Sequence, residues 1–251
     1  MRREQTAALV LRRWPYSETS LALHVLTPTQ GVVSLLAKGV HRVTSGSFGV
    51  LDTWALVELE FGGPDDAEML NLYGSRLLDR MSGISTGIER LAAAGVVAEI
   101  AELAAPPGHP AKEPFLYLLR RLRELDAGAP PRDFLCSAIL EGLDLLGLGP
   151  VLEIDDEADD GRRTAWFSAA AGGLLAADSA RPAGAARRVR TATLEWLRAL
   201  RADRTALPAA DAGIKAAALT ILGEFLAYHL ERPPRAWTLL RKRLPRHEKA
   251  R

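Results

Sequence analysis

The feature that most constrains this fold is a change of period near Ser85: apolar residues alternate before it and recur about every 3.6 positions after it. Upstream, Thr6 to Leu11 is an apolar, β-prone run and Leu21 to Thr27 alternates. Pro28-Thr29-Gln30-Gly31 is a turn, with Pro fixing φ and Gly permitting a positive one. Val32 to Ala37 reads as a third strand, and Thr53 to Phe61 sets apolar residues against Glu58 and Glu60, as on a strand with one wet face. Gly62-Gly63-Pro64-Asp65-Asp66 ends that strand, and Glu68 to Tyr73 supplies a fifth. Five short strands within the first eighty residues predict a closed or nearly closed barrel rather than an open sheet.

Downstream, Ile88, Leu91, Ala92, Gly95, Val96, Ile100 and Leu103 form a helical stripe that stops at Ala105-Pro106-Pro107-Gly108. Pro114 falls in the first turn of a second helix through Phe115, Leu118, Leu122 and Leu125, and Asp133 is placed as the cap of a third ending near Gly147. Residues 150–185 break this rhythm, and helices resume over Thr193 to Leu200 and Ala216 to Leu230. The stripes require one another for burial, so the reading is α+β and multi-domain: a barrel at 1–80, a helical bundle at 81–150 and 186–245 around an insertion at 151–185, and a fraying basic tail at 246–251.

Charge is segregated although the net is only +1: residues 1–50 carry +4, 51–80 carry −5, 81–180 carry −8 and 181–251 carry +10. Such a chain suits contact of its two ends with a polyanion. No apolar run reaches the roughly eighteen residues a membrane helix needs, and the basic start MRREQTAALVLRRW is interrupted by Arg12 and Arg13, so no secretory leader is expected. The single cysteine, Cys136, lies in an apolar-periodic stretch and reads as a buried small side chain in a reducing, cytoplasmic setting.

Signatures of catalysis are missing. There is no phosphate-gripping Gly-x-x-x-x-Gly-Lys loop, GxSxG elbow or HExxH, and the histidines at 24, 41, 109, 229 and 247 lack metal-ligand spacing. Asp65-Asp66 reads as turn capping rather than a two-metal centre. The six carboxylates of Glu153 to Asp160 do not follow a calcium-loop pattern, so they read as a solvated acidic loop. No enzymatic activity is expected.

Binding is what remains. The third strand ends in Lys38-Gly39 and opens into a loop bearing His41 and Arg42, and Arg2, Arg3, Arg12 and Arg13 add charge on the first strand. Small barrels hold nucleic-acid strands by a basic groove that follows phosphates and aromatics that stack bases. Trp14 and Tyr16 are the candidate platforms, with packing at a strand end the competing reading for Trp14.

The run LRRWPYSETSLALHVLTPTQGVVSLLAKGVHR, followed by Phe48-Gly49, resembles the start of the RecO family of DNA repair and recombination mediators. WFSAAAGGLL (166–175) is similar to that family's FSP-x-x-GGLL signature, and EFLAYHLERPPRAWTLLR (224–241) to its closing YHL helix. The resemblance implies an N-terminal five-stranded OB-fold barrel followed by a helical bundle. It implies binding to single- and double-stranded DNA without sequence specificity, annealing of complementary strands and, with RecR, loading of RecA onto strands coated by single-strand-binding protein. Lys38, His41 and Arg42 occupy its basic AKG-x-x-R loop, with His where relatives often have Arg. Arg187, Arg188 and Arg190 join the DNA-binding candidates, and Arg120, Arg121 and Arg123 are set against the acidic tail of single-strand-binding protein, an ordinary solvated face being the other reading. Many relatives carry a four-cysteine zinc module in the insertion; here the corresponding positions are Glu157, Asp160, Ala176 and Ser179. Zinc needs thiolate or imidazole donors. A degenerate, cysteine-free zinc-finger-like insertion is therefore expected, without zinc or other cofactor and held by Trp166, Phe167, Leu174 and Leu175. An RNA-binding barrel and a protein-binding adaptor remain open, and a bacterial nucleoid-associated location is implied.

Overall fold

The computed structural model describes residues 2–40, 49–64, 67–153, 164–175, 186–203, 208–230 and 234–241. His41, Arg42, Asp65, Asp66, Glu157, Asp160, Ala176, Ser179 and the tail at 246–251 lie outside them, as does the side chain of Arg2. The chain divides into two compact units, Met1–Gly128 and Ala129–Arg251.

In the first unit β1 (Arg2–Pro15), β2 (Leu21–Thr27), β3 (Gly31–Ala37), β4 (Leu56–Gly63) and β5 (Leu70–Asp79) close a barrel in the order β1-β2-β3-β5-β4. β1 is longer than its apolar run because it serves two partners, pairing Arg2 to Leu9 with β4 and Leu9 to Pro15 with β2. The register slips between Val10 and Arg12, leaving Leu11 as the extra, buried residue of a bulge. Alternate residues fill the core, with Ala8, Val10, Leu23, Val25, Leu35, Val57, Leu59 and Phe61 fully buried. The expected strand start at Thr53 is displaced to Leu56. Trp54 adopts φ 72° and donates its backbone N–H to Val10 at 2.8 Å, which turns the chain before pairing with β5 begins. β5 begins two residues later and runs six further than expected, since most of its residues are only partly buried and the sequence carries weak alternation there.

A 3-10 turn at Ser82–Thr86 leads into α1 (Ile88–Leu103) and α2 (Lys112–Asp126). The connection between these helices is bonded onto the β2–β3 turn: Gly108 N–H donates to Gln30 at 2.9 Å and Ala111 N–H to Pro28 at 3.0 Å. Gly31 has φ +63°, and a Cβ there would fall 2.4 Å from the carbonyl oxygen of Pro106. The turn needs glycine for both reasons.

The second unit comprises α3 (Pro131–Leu145), α4 (Thr191–Ala202), α5 (Ala212–His229), α6 (Arg235–Arg241) and a small sheet, β7-β6-β8, of β6 (Thr164–Ser168), β7 (Gly173–Leu174) and β8 (Arg187–Arg190). Asp133 is not the cap of α3: the helix starts at Pro131, and Asp133 in its first turn accepts from Lys215 Nζ at 2.6 Å. The side-chain cap lies on α5, where Asp211 accepts from Ile214 N–H at 2.7 Å. Phe167 and Leu174 face each other across β6 and β7, and Leu175 N–H donates to Trp166 at 3.0 Å. Phe167 packs on Phe225 of α5 at 6.0 Å between centroids, and His229 Nε2 lies 2.9 Å from the carbonyl oxygen of Ala169. Cys136 is fully buried on α3, and loss of hydration, reinforced by Asp133, pushes its thiol far above the ordinary range.

Candidate nucleic-acid interface

The β1–β2 hairpin tip is closed by Tyr16 N–H donating to Ser20 at 2.9 Å, which leaves the Tyr16 ring 61% exposed. Leu21 of β2 pairs with Ala37 of β3, so the residue after β3, Lys38, sits beside that tip. Tyr16, Ser17, Thr19, Ser20, Leu36, Lys38 and Gly39 line one cleft of about 300 Å³. Lys38 is exposed and forms no ion pair with a described residue, and Gly39 at φ +70° turns the chain directly after it. Trp14, 40% exposed, stands edge-on to His24 at 5.3 Å and pairs with Ala22, which in turn faces Leu36. The cleft thus combines an ammonium, an accessible aromatic face and hydroxyls, which together can hold a phosphate and a base.

The other cations of β1 do not join it. Arg12 pairs with Glu102 of α1, while Arg13 turns the other way to Asp52 at 3.0 Å, an acid shared with Arg80. Arg3 lies ten residues from Arg13, roughly 33 Å along an extended strand. It pairs with Glu60 at 3.0 Å and lies over the Tyr73 ring at 4.4 Å. The first strand therefore spreads its charge along the barrel, and carboxylates offset much of it.

In the second unit Arg187 pairs with Glu224 at 2.6 Å and Arg190 approaches Asp211 at 3.8 Å. Arg188 lies 5.4 Å above the Trp166 ring, giving an exposed cation on an aromatic plane. On α2 the three arginines do not share a face. Arg120 is exposed, Arg123 reaches Asp79 at 3.6 Å, and Arg121 is fully buried with its guanidinium on Glu124 at 2.8 Å. Among the described residues no three His, Cys, Asp or Glu side chains gather as metal ligands, and no helix is long and apolar enough to cross a membrane. The contributions of Ser17, Thr19 and Ser20 were not singled out in the sequence. Their signal is a polar tip wedged between two apolar strands. The sequence assigns Trp166 only a packing role, and its position beneath Arg188 depends on β8, whose RRVR carries one apolar residue.

A closed barrel of this strand order, with a polar and aromatic cleft at the end of its first hairpin, defines an OB-fold protein with a helical C-terminal part. Residues 1–80 match the model for the N terminus of recombination protein O, and residues 85–238 the model for its C terminus. The chain belongs to the RecO family. It is 32% identical to a protein of Desulforudis audaxviator named DNA repair protein RecO, over 96% of this chain and 98% of that one. A Rhodopirellula baltica protein of the same name is 31% identical over 77% and 72% of the two chains, and an Anaeromyxobacter dehalogenans one 29% over 72% of each.

Proposed function

We propose that this chain is a recombination mediator in DNA repair that binds DNA strands through the Tyr16–Lys38 cleft. The observation that carries this reading is the meeting of an exposed aromatic, a lysine without a described ion-pair partner and a set of hydroxyls at one end of an OB-fold barrel. The family and its relatives named for DNA repair support it.

The cleft takes the backbone phosphate on Lys38 and a base against Tyr16, with Trp14 extending the aromatic surface and His41 and Arg42, which follow Lys38 in sequence, adding charge; Arg2 pairs with Gly63 at the opposite end of β1 and is not part of it. A stacked base contributes about 1–3 kcal/mol and does not depend on sequence, since every base presents a π face. The Arg188–Trp166 pair gives a second contact on the other unit. Neutralising phosphates on two strands lowers the repulsion that opposes pairing, so annealing follows from binding without catalysis of a covalent step. By its family the chain then works with RecR to load RecA where single-strand-binding protein coats the DNA. Arg120 and Arg123 are the exposed α2 arginines suited to that protein's acidic tail, and burial removes Arg121 from the set. The insertion functions without zinc, and the protein acts in the cytoplasm at the nucleoid.

Strand annealing measured with Lys38→Ala plus Arg42→Ala tests the reading. Slower annealing with retained fold is expected; an unchanged rate contradicts it. Equal or tighter binding to RNA of the same sequence would favour an RNA-binding role instead.

A further inference from the structure

We propose that the open edge of β3, at the end remote from Lys38, is a docking site for an extended basic segment of a partner protein. The strand pairs with β2 along its whole length but with β5 only at Leu35 and Leu36. Val32 N–H, turned away from β2, donates to the carbonyl of Ala105 at 3.4 Å. The β2–β3 register is unbroken, so Ser34 N–H and Val32 C=O face the same way. No described residue pairs with either group. An unpaired edge of this kind receives an extended chain by main-chain hydrogen bonds, with alternate side chains setting the specificity.

The edge opens into a groove of about 760 Å³ with Val33, Phe61 and Leu70 among its apolar lining residues. Glu4, Glu68 and Glu102 contribute its charge, and no lysine or arginine is among its described lining residues. Glu102 is offset by Arg12, whereas Glu4 is bonded to the neutral Thr29 and Gln30, and Glu68 is exposed without an ion pair to a described residue. Two carboxylates with no ion pair to a described residue favour lysine or arginine side chains and repel phosphate, so the occupant is a peptide rather than nucleic acid. The wall formed by residues 105–111 is already bonded to the β2–β3 turn, so the groove is formed before anything enters it. The placement is independent of the DNA-binding cleft.

The probe is a fluorescent acetyl-Lys-Val-Lys-Val-Lys-Val amide, titrated into the full-length protein beside its Glu-Val counterpart. The lysine peptide is expected to bind about tenfold or more tightly, and Glu68→Lys to weaken it by a similar factor at unchanged melting temperature. Ser34→Pro removes the free N–H without breaking a described hydrogen bond and is expected to weaken it as well. Should that variant fail to fold, hydrogen exchange in the wild-type protein gives the same information: the Ser34 amide slows when the peptide is bound. Equal affinity for the two peptides, insensitivity to Glu68→Lys, or an unprotected Ser34 amide each overturns the proposal.

Discussion

The indole of Trp237 on α6 packs directly against Gly223 of α5: a Cβ added to that glycine would fall 1.7 Å from Cζ2 of the ring and 2.4 Å from Cε2. Glycine within an 18-residue helix is unfavourable by itself, so its presence reports the closeness of this approach. Gly223→Ala is expected to destabilise the protein by about 1–3 kcal/mol despite the better helix former, lowering Tm by about 2–4 °C per kcal/mol. In combination with Trp237→Leu the alanine should cost much less. A thermal melt of the two single variants and the double variant checks this, and strict additivity would speak against the contact.

Arg121 and Arg123 are neighbours in sequence with different roles. Arg121→Ala removes a fully buried guanidinium from Glu124 and leaves a cavity on α2, a loss expected at about 2–4 kcal/mol. Arg123→Ala breaks only an exposed pair with Asp79 and is expected to cost below about 1 kcal/mol. Urea unfolding of both variants separates them.

Cys136 should be unreactive in the native state. Burial and the neighbouring Asp133 hold its thiol protonated across the physiological range, and the thiolate is the reactive form. A thiol reagent is expected to label it only after unfolding, and raising the pH to 9 should not change that while the fold persists.

Pairing also governs the cations of β1. With Arg12 on Glu102 and Arg13 on Asp52, replacing either by alanine is expected to lower DNA affinity less than Lys38→Ala does. Fluorescence anisotropy on one labelled oligonucleotide ranks the three.

The barrel was legible because β3 alternates strictly and β2 and β4 are short, largely apolar runs bounded by turn residues, and the helices because their stripes keep one period to a clear stop. β8 was not, since three of its four residues are arginines and its strand character comes from pairing with β6. The burial of Arg121 could be read from position: it lies three and four residues from the buried Leu118, Tyr117 and Leu125, although its residue type argued for solvent. The site was legible only in part. Lys38 at the end of a strand next to a polar hairpin tip follows from strand order. The pairing of Arg13 with Asp52 joins residues far apart in sequence, and no local pattern announces it. For that reason the first-strand cations looked like one groove in sequence and are distributed along the barrel in the structure.

The most direct test of the account is the salt dependence of single-stranded DNA binding by the wild-type protein and by Tyr16→Ala plus Lys38→Ala, between about 50 and 200 mM salt. If the cleft holds a base and a phosphate, the double variant binds about tenfold or more weakly, and the slope of log affinity against log salt becomes shallower by about 0.7 for the lost phosphate contact. The same affinity and the same slope in a folded double variant would contradict it.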